Sequence, residues 1–246
     1  MHKLFDSFAG WYDFHTPPDH YFRDHELVLS LAAHFGQGAR LLDVGCGTGV
    51  LVEKAQVAGF DAVGFDASAY MIDVARKRLR ESSVWVQRMQ DLATRDCYDI
   101  VVSLSWCVHY CRNVGELRAT IARMNESLVP GGRLLLQVAH GPNLPAEWAE
   151  DREIGPTGLA DDVRLRFRFQ SDATRADALS ANYAFNCAST GESFNETHQL
   201  NVANANIIAE LTRDAGFDYV EIWNSWRRDA FADSGNVFVT GVRRAY

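Results

Sequence analysis

The sequence predicts an α/β fold: a mostly parallel sheet with helices on both faces, plus an antiparallel β insertion. Three observations predict it. Between residues 26 and 139, continuous apolar runs of strand length alternate with segments of helical periodicity. That is the pattern of βαβ units whose strands are buried on both faces. From 163 to 169 the pattern becomes strict alternation, with Val163, Leu165, Phe167 and Phe169 set against Arg164, Arg166 and Arg168. Such a period belongs to a half-buried strand with one cationic face. After 204 the helical pattern returns and is followed by two last strands.

In chain order, residues 1–25 are rich in aromatic residues and histidine, and Pro17–Pro18 interrupts any helix there. The run 26–35 reads as an amphipathic helix closed by Gly36. "RLLDVG" is a buried strand, and the helix after it stops at Gly59. "DAVGFD" is the second strand, and Ser68 caps the helix beyond it. "SVWVQRM" and "YDIVVSLS" supply the third and fourth strands. The helix from Val114 ends in a Pro-Gly-Gly turn before the strand "RLLLQVA". The insertion, 141–202, contains about three strands, at 163–169, 178–186 and 193–202, within one domain spanning 1–246.

Composition narrows the function. The 246 residues carry a net charge of −8, which disfavours general binding to nucleic acid or anionic membrane. No apolar run reaches the roughly 20 residues needed to cross a bilayer. The first residues lack a signal-peptide core, so the expected location is the cytoplasm. The five cysteines are odd in number and sparsely spaced, which argues against a disulfide framework. Cys107 and Cys111 lack a second ligand pair, and His2, His15, His20, His25 and His34 follow no metal-ligand spacing. No metal is therefore expected, and these histidines read as surface or local contacts.

The turn "DVGCGTG" after the first strand carries the most chemistry. A nucleoside-triphosphate loop needs a lysine directly after its glycines, and here the first one downstream is Lys54, inside the helix. A dinucleotide fingerprint needs G-x-G-x-x-G, whereas the spacing here is G-x-G-x-G with Asp43 two residues upstream. A carboxylate there repels a pyrophosphate but suits a cationic, phosphate-free ligand.

These residues resemble the first motif of class I S-adenosylmethionine-dependent methyltransferases, which have a Rossmann-like sheet. Further segments match in order: Asp66 ending "VGFDAS", Met71 in the next helix, "RMQDL" at 88–92, "YDIVVSLS" and "LVPGGRLLL". The resemblance implies S-adenosyl-L-methionine as cofactor. It implies contacts from Asp43, Gly45, Cys46, Gly47, Asp66, Ala67, Met71, Met89, Gln90 and Ser103, with Asp66 on the ribose diol. Arg23 is a candidate partner for the methionine carboxylate. One departure is Arg88, where the family often has an acid toward the adenine. Met89 backbone or Gln90 then takes that contact.

For the acceptor side, the fourth strand leads into "WCVHYC" rather than an Asn-Pro-Pro-Tyr motif. His109 and Tyr110 are candidates to bind or deprotonate an acceptor. Tyr12, in the aromatic segment "FAGWYD", is a third, with Trp11 beside it. Trp106, His140, Trp148, Tyr183 and His198 are candidate acceptor contacts, His140 at the edge of the insertion and the last three within it, an insertion that the resemblance implies to be a substrate lid. A looser similarity to amino-sugar N-methyltransferases implies a small-molecule amine acceptor, with no nucleic-acid or membrane partner and a monomer or homodimer. O-methylation, a non-catalytic cofactor-binding module, and methylation of RNA or protein are the rival readings.

Overall fold

A computed structural model describes residues 2–154, 163–171, 175, 177–188 and 190–245. The N-terminal segment folds as short turns and a one-turn helix α1, Tyr12–His15, before α2, Phe22–Ala32. Then come β1 (Arg40–Val44), α3 (Val50–Val57), β2 (Asp61–Asp66), α4 (Ala69–Ala75), β3 (Val84–Val86) and β4 (Tyr98–Ser103). Next are α5 (Val114–Ser127), β5 (Leu128–Ala139) and four strands, β6 (Glu147–Ile154), β7 (Val163–Ser171), β8 (Leu179–Cys187) and β9 (Ser193–Leu200). The chain closes with α6 (Ala205–Asp214), β10 (Phe217–Trp223) and β11 (Asn236–Arg243).

Seven strands form one sheet in the order β10-β11-β5-β4-β1-β2-β3. The five strands from β5 to β3 pair in parallel, while β11 runs antiparallel to β5 and to β10. Alternate residues of the central strands feed opposite cores. Leu41, Ile100 and Val102 pack under α2, α3 and α4, whereas Leu42, Val44 and Val101 pack under α5 and α6. Burial on both faces is why β1 and β4 read as unbroken apolar runs; each fully buried Leu or Val contributes about 1.5–3 kcal/mol.

The antiparallel sheet has the order β6-β7-β8-β9, one strand more than the sequence shows. The missed strand, β6, is "EWAEDREI", which has no apolar alternation and takes its conformation from pairing with β7. The inner face of this sheet, including Leu165, Phe167, Tyr183, Phe185 and Phe194, packs against Leu4, Phe5, Phe8, Trp11 and Tyr12 of the N-terminal segment. The second difference is at α2, which begins four residues before the sequence reading and carries His25 onto the buried face with Val28 and Ala32.

Candidate active site

Strand order reverses between β1 and β4, and the loops after the strands open a crevice there. That crevice is a cavity of about 420 Å³ lined by Asp43, Gly45, Cys46, Gly47, Asp66, Ala67, Met71, Met89 and Gln90, all expected from the sequence. Asp66 ends β2, and its carboxylate accepts the backbone N–H of Gly47 at 3.1 Å and of Ser68 at 2.8 Å. These bonds tie the glycine turn to the start of α4, which Ser68 caps through Met71 N–H at 3.1 Å.

The glycines of the turn play different parts. Gly47 has φ +53 and no atom within 4 Å of where a Cβ would sit, so its backbone is bare toward the cavity it lines. Gly45, with φ +79, instead lies where a Cβ would run into the Cys107 sulfur. Its role is to let the loop after β4 close on the loop after β1.

At the glycine turn the cavity is acidic, while Arg88 and Arg112 on its wall pair with Glu116. Asp43 is buried, and burial together with the nearby Asp66 charge raises its pKa to about 7. Burial also raises Asp66, against the hydrogen bonds to its carboxylate. No described Lys or Arg forms an ion pair with either. Because the folded state holds the Asp43 proton to higher pH than the unfolded state, this group makes stability fall as pH rises from about 4 to about 7. Asp43→Asn is expected to flatten that slope by at most about 1.4 kcal/mol per pH unit, read by urea unfolding across the window. An unchanged slope means Asp43 titrates as an exposed acid.

Several residues escaped the sequence reading. His25 lines the cavity and is buried, and its Nδ1 has no hydrogen-bond partner. Burial, then the charge of Lys54, lowers its pKa to about 4, so it is neutral at pH 7. The corrected start of α2 is the signal that places it. Thr48 donates to Asp13 at 2.6 Å, Asp13 pairs with Arg78, and Ser68 bonds the Phe5 carbonyl. The N-terminal segment is thereby fastened over the glycine turn.

A second cavity of about 510 Å³ adjoins the first. Phe5, Tyr12, Thr16, Tyr21, Ser105 and Tyr110 line both. Trp106, Phe167, Phe169 and Tyr183 are among the other walls, and no Asp, Glu, Lys or Arg is among the lining residues. Ser105 and Trp106 sit at φ 53 and 60, a strained pair held by Ser105 N–H on Gln137 at 2.8 Å. Trp106 Nε1 donates to Asn236 at 2.8 Å.

Six expectations need correction or qualification. His109 is fully buried; its Nδ1 meets the Asn201 carbonyl at 2.9 Å and its Nε2 accepts Ala139 N–H at 2.8 Å. Both ring nitrogens serve the backbone, and it lines neither cavity, so it is a structural residue. Ser103 donates to the Val44 carbonyl at 2.8 Å, joining β4 to β1 instead of meeting a ligand. Arg23 is exposed and lies over the Trp226 ring at 5.0 Å. Trp11 packs on Phe14 and Phe185 behind the cavity wall. His140 accepts Ala205 N–H at 3.2 Å and lines neither cavity. His198 also lines neither, but it touches a residue that lines both: its Nδ1 is 2.6 Å from the Tyr110 hydroxyl. The Trp148 side chain lies outside the described residues.

His2, Glu196 and His198 form a group whose ligand atoms lie within 4.8 Å of one another, which the separation along the chain concealed. The two imidazoles stack at 3.7 Å with 28° between planes, so their in-plane lone pairs run nearly side by side. Both Glu196 oxygens already accept backbone N–H groups, from Lys3 at 2.6 Å and Leu4 at 2.8 Å. The group is organised by hydrogen bonds.

A crevice with buried carboxylates lies at the switch point of the parallel sheet and adjoins a chamber with aromatic walls. The methyltransferase domain family model matches residues 19–222, and the chain belongs to that family. It is 34% identical over 101 residues to a dTDP-3-amino-3,4,6-trideoxy-alpha-D-glucopyranose N,N-dimethyltransferase of Streptomyces venezuelae, covering 41% of this chain and 43% of that protein. Over 121 residues it is 33% identical to a ubiquinone biosynthesis O-methyltransferase of Chelativorans sp. (strain BNC1), covering 44% and 46%. The chain spans about half the length of the curated relatives it matches. Among solved structures, Streptomyces venezuelae DesVI superposes with a TM-score of 0.78 at 22% identity, covering 96% of this chain and 98% of that one. No helix among the described residues is long and apolar enough to cross a membrane.

Proposed function

We infer that the protein transfers a methyl group from S-adenosylmethionine to an amine nitrogen of a small molecule. The carrying observation is the shared wall: Tyr12 and Tyr110 belong to both the acidic cavity and the uncharged aromatic one. A small acceptor in the second cavity therefore meets a cofactor in the first across these side chains, which supplies proximity and orientation.

The residues present fit the cofactor. Bare backbone at Gly47 admits close approach, buried Asp43 and Asp66 favour a cationic ligand, and the unpartnered Nδ1 of His25 leaves a hydrogen-bonding site open. Asp66 holds the ribose hydroxyls, Met89 and Gln90 the adenine, and His25 replaces Arg23 near the amino-acid end. S-adenosylmethionine held there would supply an electrophilic methyl to the acceptor's lone pair, its sulfur keeping the electron pair of the C–S bond and the acceptor's proton passing to solvent. The antiparallel sheet and the N-terminal segment wall off the second cavity as a lid. Its aromatic lining favours an ammonium or a flat apolar group near the rings.

Two relatives' names favour opposite atoms, an amine and a hydroxyl, so the deciding experiment compares them. Calorimetry with S-adenosylmethionine is expected to show one-site binding. Turnover on a panel of small amines and phenols is expected to favour amines. Binding with no turnover on any acceptor would support the cofactor-binding module, and turnover confined to phenols would support O-methylation.

A further inference from the structure

Strand β9 carries an anomaly. Its inward face reads Phe194, Glu196, His198, Leu200, with a half-buried acid and a buried histidine inside an apolar row. A carboxylate drawn partly out of water is costly unless it is well partnered. Glu196 is: it accepts N–H from Lys3 and Leu4, and His198 Nε2 lies 2.9 Å from its Oε1. Burial pushes its pKa up, but the bonds from His198, Leu4 and Lys3 pull it below the ordinary value, so it is ionised at pH 7.

An ionised carboxylate only accepts hydrogen bonds. The proton between Glu196 and His198 therefore sits on Nε2. His198 is wholly buried, wedged between His2 at 3.7 Å, Tyr183 at 4.6 Å and Phe5 at 5.0 Å. Burial lowers its pKa to about 4, against the pull of Glu196, so its Nδ1 is bare at pH 7. That nitrogen must accept, and the hydroxyl 2.6 Å away must donate. Tyr110 keeps its proton because burial raises its pKa well above normal.

We propose that Glu196 and His198 fix the polarity of Tyr110, so that its oxygen meets the acceptor solely as a hydrogen-bond acceptor and selects nitrogens that bear an N–H. A primary or secondary amine donates N–H to the Tyr110 oxygen, which leaves its lone pair turned away from that bond and free to attack. A tertiary amine has no N–H to give. Methylation thus ends at the tertiary amine, and no quaternary ammonium forms. Glu196 and His198 are positioning residues acting through Tyr110. The inference rests on the amine-methyltransferase reading for its substrate consequence, though not for the hydrogen-bond polarity.

The polarity is measured without cofactor or acceptor. Nitrogen-15 histidine spectra of the whole protein at pH 7 are expected to show His198 as a single Nε2–H tautomer with an unprotonated Nδ1. Tyr110→Phe should shift the Nδ1 resonance and leave the tautomer. Glu196→Gln should turn the single tautomer into a mixture. An Nδ1–H tautomer or an imidazolium in the wild type overturns the proposal, as does a single Nε2–H tautomer persisting in Glu196→Gln. The consequence is read on a secondary amine that the wild type methylates. Tyr110→Phe should lower kcat at least tenfold with cofactor affinity within twofold, and wild-type product should stop at the tertiary amine. A quaternary product, or an unchanged kcat in Tyr110→Phe, overturns the selection by N–H. Should no amine be turned over, the spectra still decide the polarity, and only the amine reading fails.

Discussion

Asp66→Ala raises the dissociation constant for S-adenosylmethionine about a hundredfold, as an expected result. Two charge-assisted hydrogen bonds to the ribose diol are worth about 1.5–3 kcal/mol each, and every 1.4 kcal/mol or so is tenfold in affinity. Part of that sum is recovered when water replaces the carboxylate, which leaves about two decades. The substitution also frees Gly47 N–H and Ser68 N–H, so the loop that carries the bare backbone loosens. A further consequence separates this account from simple unfolding. The Asp66 charge helps to raise the Asp43 pKa to about 7, so Asp66→Ala should lower the pH at which Asp43 ionises. Asp66→Asn retains an oxygen for one loop N–H and should bind with intermediate affinity. Calorimetry gives the dissociation constants; equal values in wild type and Asp66→Ala would mean that the ribose is held elsewhere.

Gly45→Ala should destabilise the fold by about 2–5 kcal/mol. The left-handed φ of +79 costs a residue with a Cβ about 1–2 kcal/mol, and overpacking adds about 1–3 kcal/mol. The new methyl group would collide with the Cys107 sulfur. Shortening that neighbour by Cys107→Ala removes the sulfur and leaves only its Cβ, at 3.3 Å, so Gly45→Ala made in that background should cost mainly the backbone share, about 1–2 kcal/mol. Denaturant unfolding of the four proteins completes the cycle. Equal costs in both backgrounds would show that the collision is absent. The result bears on the proposed function because the loop held by this contact places Ser105, Trp106 and Tyr110 along the second cavity.

Much of the lining of the first cavity was legible because its residues follow strands in a fixed order. Asp43, Asp66, Met71, Met89 and Gln90 sit at strand ends or the first turn beyond them, and a parallel sheet gathers those ends on one edge. Two of the misses share a cause, and a third has its own. His109 and Ser103 have the right residue types at the right strand end, but their polar atoms face backbone groups that only the packed structure brings near. Arg23 was chosen for charge, whereas two positions on, the buried face of α2 delivers His25.

The acceptor side was less legible. His198 and Tyr110 are 88 residues apart, and Lys3 and Glu196 are 193 apart. No local period links them, because the contacts arise when the antiparallel sheet folds onto the N-terminal segment. Likewise β6 is a strand by pairing rather than by pattern.

By itself, then, the sequence determined the alternation of strands and helices, the phosphate-averse glycine turn and the acid at the end of β2, since each depends on residues close in the chain. Only the tertiary structure decided which polar atoms remain available for chemistry. Hydrogen bonding is short-ranged and saturable, so a side chain's role depends on the groups that packing sets within about 3 Å of it.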